Sequence, residues 1–369
     1  MNQASSSTLS IGSARAAARE LWIGPLRIGA PFVQAALSGY SDSPMRTLAR
    51  RFGASYTLCE VMLDQFLVAY KPRQRTRHLL HIGPEEAPVG GQLMGAEPEQ
   101  FGPAAQVLSD AGFDVIDINF GCPVKKVLGR CRGGYHLSQP DVAIEIVQRV
   151  RDAVPAEKPV TVKMRRGIDD TPASRDNFYR IFDHAFEIGV AAVTVHGRTV
   201  HQRYDGPSRW DFLRELKAHA GDRVVLGSGD LFSAQACLDM MDYTGVDGVT
   251  IARGAIGNPW IFEQANALAA GRPLPLPPSL HEQRTVIAEH YRLAELLYGE
   301  HRCLPDMRKF AIKYSKLHPE QQQVRADFCA VKAPGAWRQV LERWYADDLP
   351  GVLPPIDEPN PLSTEAAVG

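Results

Sequence analysis

Eight short apolar runs recur along this chain, most of them separated by amphipathic segments of helical period, and few folds accommodate that rhythm. The runs occupy residues 31–37, 56–61, 89–93, 113–120, 160–164, 192–196, 224–227 and 248–252. Between them, residues 98–111, 141–153, 175–188 and 210–220 space apolar side chains three and four apart, which gives a helix one face to bury. Strands too apolar to face water, alternating with helices, pack as a parallel sheet covered by helices. An open doubly wound sheet is the competing arrangement. Against it, no Gly-x-Gly-x-x-Gly follows the first run, and polar residues gather at the ends of most runs instead of at one switch point. The pattern predicts a (β/α)8 TIM barrel over residues 21–270. Residues 21–28 read as two short strands around Gly24-Pro25, a hairpin suited to close the bottom of such a barrel.

The fourth run leads into a cysteine. Val115, Asp117 and Asn119 alternate with Ile116, Ile118 and Phe120, so the strand has one polar and one apolar side. In a closed barrel the polar side can face inward and carry Asn119 to the mouth, the end where barrel enzymes keep their chemistry. Gly121 and Pro123 stop the strand and leave Cys122 on a rigid loop, followed by Lys125, Lys126, Arg130 and Arg132. A lone cysteine is most often a small buried hydrophobe. Turn residues on both sides and cations beyond them put Cys122 at a rim and make it the candidate catalytic group.

Taken together, the carboxyl ends of the runs present Gln92, Asn119, Lys163 with Arg165, His196 with Arg198, then Gly227-Ser228-Gly229-Asp230 and Ala252-Arg253-Gly254. Lys163 lies inside an apolar strand, where an unpaired ammonium is costly, so it wants an anionic partner. A lysine there can form a Schiff base, hold a phosphate, or stabilise the N1 and C2 carbonyl edge of a reduced flavin. Glycines and an arginine after the seventh and eighth runs suit a phosphate cup, at the place where barrels bind phosphate. With Gln92 to hydrogen-bond a pyrimidine edge, the set describes an FMN site better than an aldolase.

Past a Pro-rich connection at residues 271–278, helical patterns over 280–297, 305–316, 319–329 and 335–345 predict a C-terminal all-α helical domain, residues 279–348. Its basic residues, Arg302, Arg308, Lys309, Lys313, Lys316, Arg325 and Lys332, suit an arm that touches RNA phosphates. The net charge of the chain is only -1, so any such contact must be local. Residues 1–20 and 349–369 read as disordered tails, the second Pro-rich. Six cysteines without Cys-x-x-Cys pairs or His-rich spacing argue against zinc and iron-sulfur sites and for a reduced cytoplasm; no metal is expected. No run approaches membrane-spanning length. A monomer without membrane attachment is expected.

These residues resemble the tRNA-dihydrouridine synthase family. The resemblance is carried by residues 39–46 (Gly-Tyr-Ser-Asp-Ser-Pro-Met-Arg), Gly91-Gln92-Leu93, residues 118–123 (Ile-Asn-Phe-Gly-Cys-Pro), Val162-Lys163-Met164-Arg165, His196-Gly197-Arg198-Thr199 and residues 253–262. It implies an enzyme that holds FMN, takes reducing equivalents from NADPH and reduces uridine in tRNA to 5,6-dihydrouridine. Cys122 matches the family's general acid, which protonates C5 while hydride reaches C6 from flavin N5. By the same resemblance Ala36, Leu37 and Ser38 line the flavin, Gln92 and Lys163 meet its ring edge, and Ser228, Gly229, Asp230, Ala252 and Arg253 hold its phosphate end. Asn119 and His196 face flavin or uracil, with Arg165 and Arg198 nearby. The family's usual Pro-Met-Ala, Asn-Gly-Asp and Gly-Arg-Gly read here Ala36-Leu37-Ser38, Ser228-Gly229-Asp230 and Ala252-Arg253-Gly254. Cys131, in the altered loop after Cys122, competes for the acid role, although its flanking arginines favour thiolate. Two other readings are a barrel enzyme acting on a free pyrimidine, as dihydroorotate and dihydropyrimidine dehydrogenases do, and an RNA-binding protein without chemistry. A free base needs no basic arm, and retained Lys163 and Cys122 speak against loss of chemistry.

Overall fold

The computed structural model describes residues 20–71 and 76–355. Of the expected tails, residues 1–19 and 356–369 lie outside the described residues. Strands β1 (Leu21–Ile23) and β2 (Leu26–Gly29) form an antiparallel hairpin. The barrel follows with β3 (Phe32–Gln34), β4 (Tyr56–Leu58), a two-residue β5 (Met62–Leu63), β6 (Val89–Met94), β7 (Val115–Phe120), β8 (Val160–Arg165), β9 (Ala192–His196), β10 (Val225–Ser228) and β11 (Gly248–Ile251). All its pairings are parallel. Closure comes from β11 pairing with β3 and β4 with β6, while β5 only extends the edge of β6. Helices such as Pro98–Asp110, Pro140–Ala153 and Pro172–Ile188 cover the outside.

Alternation along the strands produces two cores. Outward residues such as Ile116, Ile118, Val162 and Val193 pack against the helices. Each such side chain, fully buried, contributes about 1.5–3 kcal/mol. Inward residues at the amino-terminal end, Val33, Tyr56, Val115, Ala192 and Leu226, form a second cluster with Leu21, Ile23 and Ile28 of the hairpin. The hairpin is thus the barrel's bottom plug. Above that plug the parallel register stacks inward-facing residues in levels. Gln92, Asp117 and Thr161 share one, Asn119, Lys163 and Thr194 the next, and Arg165, His196 and Ser228 the uppermost.

The first two runs are shorter as strands than as apolar sequence. Beyond Ala35 the chain leaves the sheet because the carbonyl of Leu37 accepts from the backbone N–H groups of Tyr40 and Ser41, closing a turn. The second run splits into β4 and β5.

The C-terminal part is all helical, with helices Leu280–Tyr298, Glu300–Tyr314, Gln321–Ala330 and Pro334–Trp344. Ser279 starts the first with a capping box to Glu282. The second begins at Glu300, not at Pro305, because Gly299 at φ 84° breaks the preceding helix there and Pro305 is carried inside the new one. Tyr314, Phe328, Trp337 and Tyr345 are buried in this unit. It is seated on the barrel's first helix, Ser43–Arg51: Phe310 meets the ring of Tyr40 edge-on at 5.4 Å, and Glu289 pairs with Arg51 at 2.7 Å.

Gly257, after β11, completes the seat. Its φ of 67° lies in the left-handed region, and a Cβ there would stand 2.6 Å from the backbone nitrogen of Tyr314 and 2.7 Å from Lys313 Cβ. Gly257→Ala is expected to cost about 2–4 kcal/mol, from the left-handed penalty plus overpacking. Gly271→Ala, at the same φ of 67° with nothing within 4 Å, carries only the first contribution. Calorimetry of both variants reads the seam contact as the difference; equal melting temperatures would mean that the helices do not press on Gly257.

Candidate active site

The mouth is built from the interior outward, starting with a buried carboxylate. Asp117 accepts from Thr161 Oγ1 at 2.6 Å and from Gln92 Nε2 at 2.7 Å. Gln92 Oε1 accepts from Asn119 Nδ2 at 2.8 Å, and Asn119 Oδ1 accepts from the N–H of Gly121 at 2.9 Å. Five groups on three strands therefore form one chain that ends at the residue before Cys122. Burial pushes the Asp117 carboxyl up, while Thr161, Gln92 and the charge of Lys163 hold it down.

Lys163 shares a register level with Asn119, and its Nζ lies 3.5 Å from where a Cβ on Gly121 would be. Among the described residues no carboxylate comes within ion-pair distance of it. Burial and the neighbouring Arg165 lower its pKa to about 8, with Asp117 and Cys122 pulling the other way. At neutral pH it remains mostly an ammonium, facing the interior without a direct counter-ion.

Three arginines complete the rim, and two of them are consumed by the protein. Arg165 donates to the carbonyls of Gly121, Thr199 and Arg203 at 2.9, 2.8 and 2.6 Å. Arg198 grips Asp230 through both terminal nitrogens at 2.8 Å and also donates to the carbonyl of Gly206. Asp230 sits at φ 60°, a left-handed conformation held by this fork and by the Ser208 N–H at 2.8 Å. Arg253 is different. It lies 3.7 Å from Asp230, over the rings of Tyr204 and Phe232, and 31% of its side chain remains open.

His196 stands amid these cations. Burial, then Arg165, Lys163, Arg198 and Arg253, push its pKa well below the usual range, so the ring is neutral. Arg198 Nη1 approaches His196 Nε2 at 3.3 Å. A guanidinium can only donate, so Nε2 accepts and the ring proton sits on Nδ1.

Cys122 is half-buried at the carboxyl end of β7. Burial raises its thiol pKa; the N–H of Val124, Lys163 and Arg165 oppose that rise without cancelling it. The loop is clamped from its far side. Gly134 N–H donates to the Cys122 carbonyl at 3.1 Å, and a Cβ on Gly133, at φ 58°, would meet Cys122 Cβ at 2.8 Å. Cys131 is exposed, at φ 54°, and its side chain interacts with Tyr135. Lys125, Lys126 and Arg130 are exposed on the same loop, whereas Arg132 is buried and donates to Gln65 at 2.9 Å.

The structure thus gathers Gln92, Asn119, Cys122, Lys163, Arg165 and His196 on adjoining strands, with Arg198, Ser228, Gly229, Asp230, Ala252 and Arg253 on the side of β9 to β11. Ala36 and Leu37 are half-buried and Ser38 exposed on the loop after β3, across the same mouth. Three lysines of the helical unit, Lys309, Lys313 and Lys316, are not on an open face. Lys309 points at the mouth, 5.5 Å from the Tyr40 ring and paired with Asp306 at 2.9 Å; Lys313 and Lys316 are half-buried. Arg302, Arg325 and Lys332 are exposed. Sequence reading missed Thr161, whose position two residues before Lys163 was the available signal. It also missed Tyr204 and Phe232, which no spacing marks.

Among the described residues no group of acidic, His and Cys side chains could hold a metal ion, and no helix is long and apolar enough to cross a membrane. Four cations and a neutral histidine face two carboxylates, so the mouth suits an anionic organic group. The fold is a closed (β/α)8 barrel, and the family to which the chain belongs makes it a flavin-dependent oxidoreductase. The chain belongs to the dihydrouridine synthase family, whose model, Dihydrouridine synthase (Dus), matches residues 33–347. It is 35% identical over 343 residues to a probable tRNA-dihydrouridine synthase of Mycobacterium tuberculosis strain H37Rv, covering 90% of this chain and 86% of that protein. Identity is also 35% over 336 residues with tRNA-dihydrouridine synthase B of Xanthomonas campestris, covering 90% and 98%. Solved structures similar in fold include histamine dehydrogenase from Rhizobium sp. 4-9, at 14% identity and TM-score 0.55, where 76% of this chain matches 51% of that one. The chain therefore spans about half of that enzyme. Morphinone reductase matches at 14% identity and TM-score 0.50, over 70% of this chain and 90% of that one.

The raised thiol pKa has a direct readout. Iodoacetamide labelling of Cys122, followed by peptide mapping, is expected to rise only at a pH above that at which a free cysteine is labelled, because burial raises its pKa and the thiolate is the reactive form. A midpoint below pH 8 would show a thiolate already present at neutral pH and unfit to give a proton.

Proposed function

We propose that the protein is an NADPH- and FMN-dependent reductase, working in the cytoplasm, that converts uridines in tRNA to 5,6-dihydrouridine, with Cys122 as the general acid. The observation that carries this reading is a thiol kept protonated by burial beside an ammonium, in a chain of this family. Gln92 and Lys163 would hold the pyrimidine edge of FMN, with Ala36, Leu37, Ser38 and His196 around its ring. Ser228, Gly229, Asp230, Ala252 and Arg253 would hold its phosphate. When bound, FMN supplies hydride, drawn from NADPH, to C6 of the uracil.

The chain's own residues do the rest. Cys122 gives its proton to C5 as the C5–C6 double bond is consumed, so one hydride and one proton are added. The thiolate left behind is met by the Val124 N–H and the charges of Lys163 and Arg165, the same groups that already pull on its pKa. Its proton is then regained from water. Asn119, Arg165 and Arg198 act by positioning, since each is already engaged by protein acceptors or donors. Exposed Lys125, Lys126 and Arg130 beside the acid, Arg302 and Arg325 on the helices and Lys332 between two of them offer charge to RNA phosphates.

The test is the spectrum of the purified protein. A yellow protein bleached by NADPH and recoloured without oxygen by unmodified tRNA supports the reading; recolouring by a free pyrimidine alone refutes the RNA substrate. Cys122→Ala should keep the colour and the bleaching but slow tRNA-driven recolouring at least about 100-fold. Full activity in that variant, together with loss in Cys131→Ala, would transfer the acid role to Cys131.

Lys163 adds a pH dependence. Its ammonium, with a pKa of about 8 before ligand binds, is lost as pH rises. FMN affinity, followed by quenching of flavin fluorescence, is expected to fall between pH 7 and pH 9. Lys163→Met should weaken binding and flatten that slope; an unchanged slope would remove Lys163 from the flavin edge.

A further inference from the structure

The altered loop after Cys122 carries two polar residues that are buried, Arg132 at 8% exposure and His136 at 1%. They flank Gly133 and Gly134, the pair that lies against Cys122. A Cβ on Gly133 would also stand 3.0 Å from Met94 Sδ, so the pair is pressed between the cysteine and the end of β6. Each flank is tied to a different element. Arg132 Nη2 donates to exposed Gln65 at 2.9 Å, and the charge of Arg132 favours the ionised form of Asp64, the residue before. Asp64 is fully buried against Gly95, where a Cβ would overlap its carboxylate. His136 Nε2 meets the Gly95 carbonyl at 3.0 Å; a carbonyl only accepts, so the ring proton sits on Nε2. Burial lowers the pKa of that ring, with the Gly95 carbonyl opposing, and the ring packs at 5.3 Å on Phe120, two residues before Cys122.

We propose that Arg132 is a positioning residue for Cys122: its ties to Gln65 and Asp64, together with that of His136 to Gly95, clasp the Gly133-Gly134 pair onto the cysteine. The proposal rests on the reading of Cys122 as the general acid. Burying a guanidinium is costly, and an apolar residue of similar volume often serves a fold as well, so a buried arginine is weak evidence for stability. Position is the better explanation. Asp64 and Gln65 belong to the helix Asp64–Val68, which carries none of the residues assigned to the mouth and so gives the loop a fixed point outside it. The Gly134 N–H can meet the Cys122 carbonyl, and Gly133 can cover its Cβ, only while the chain on both sides of the pair is held. Two adjacent glycines would otherwise leave that stretch freer than any other pair of residues. The acceptor of the proton is a carbon, a poor hydrogen-bond acceptor, so the reacting group does not draw the thiol into line; the protein has to hold it there.

Arg132→Met, Gln65→Ala and the double variant test this. In flavin-free protein the pH midpoint of Cys122 alkylation is expected to move down in Arg132→Met, toward that of a free cysteine, because a loosened clasp exposes a thiol whose pKa burial had raised. Gln65→Ala, at an exposed position that leaves the core intact, should move it the same way by less, and the double variant no further than Arg132→Met. With FMN and saturating tRNA, Arg132→Met should slow recolouring of the bleached flavin about 10- to 100-fold while bleaching by NADPH stays within about 2-fold of wild type. Its melting temperature should stay close to that of wild type. A wild-type alkylation midpoint in Arg132→Met overturns the proposal, and so does slow recolouring that more tRNA restores, because that is a loss of binding. A large fall in melting temperature assigns the arginine to the fold instead, and additive shifts in the double variant overturn the tie through Gln65. If the midpoints move as expected but the wild-type protein does not reduce tRNA, the general-acid reading fails and the clasp stands, since alkylation needs neither flavin nor RNA.

Discussion

A carboxylate inside a closed barrel cannot find water, and the arrangement of this mouth follows from how Asp117 is satisfied. Its two oxygens are met by Thr161 on one neighbouring strand and Gln92 on the other. Gln92 can serve Asp117 only by turning its amide nitrogen downward, which turns its oxygen toward Asn119 and in turn aims Asn119 at the Gly121 N–H. The direction of each amide is thus fixed by the one below it. A slip of one residue in β7 would put Asp117 among the outer apolar side chains, where an unpaired charge is far more costly than any gain from sliding. Register, amide orientation and the start of the Cys122 loop are one constraint.

Above that column the charge balance reverses. Lys163, Arg165, Arg198 and Arg253 crowd a neutral His196, with only Asp230 among them as a paired carboxylate. Such crowding works against the fold; burial first, and then the neighbouring cations, lower the pKa values of Lys163 and Arg165 to about 8 and about 10. An anion bound there relieves the repulsion, so binding and stability are linked in the same direction. The same field acts on Cys122 in the opposite sense. It makes the thiolate less costly once the proton has gone, while burial keeps the proton on beforehand. A general acid needs both: a proton present at working pH and a conjugate base that is tolerated.

Periodicity made the barrel legible, because eight apolar runs and the helical segments among them admit few arrangements. Residues at strand ends were legible for the same reason. Once β7, β8 and β9 are strands, Asn119, Lys163 and His196 must lie inside and at one end. What sequence did not convey is which side chains are already occupied. Arg165 and Arg198 look free in a list of strand-end residues, but their partners are backbone carbonyls and an aspartate 32 residues away, and no local pattern encodes such pairings. Tyr204 escaped notice because a loop has no period. Lys309 and Lys313 read as part of a basic arm for RNA phosphates because the helix pattern says nothing about what docks on it.

That docking changes what the helical unit is for. Tyr298 donates to Asp42 at 2.9 Å, Asp42 caps the barrel's first helix through the Met45 N–H at 3.1 Å, and burial raises the Asp42 carboxyl to about 7. Lys309 stands near Glu60, whose carboxylate accepts from the Gly39 N–H at 2.8 Å in the loop after β3. The helices therefore finish the wall of the mouth at Ser38 to Asp42 and are not simply an arm hung behind it. A base held in a folded RNA can reach a half-buried thiol only after leaving its stack, at a cost of a few kcal/mol. For the RNA substrate proposed above, a wall built from both units would let contacts to the rest of the RNA and contacts to the extruded base be made by one surface. In that proposed reaction, binding energy gained far from the reacting carbon would offset that cost without any movement of the Cys122 loop.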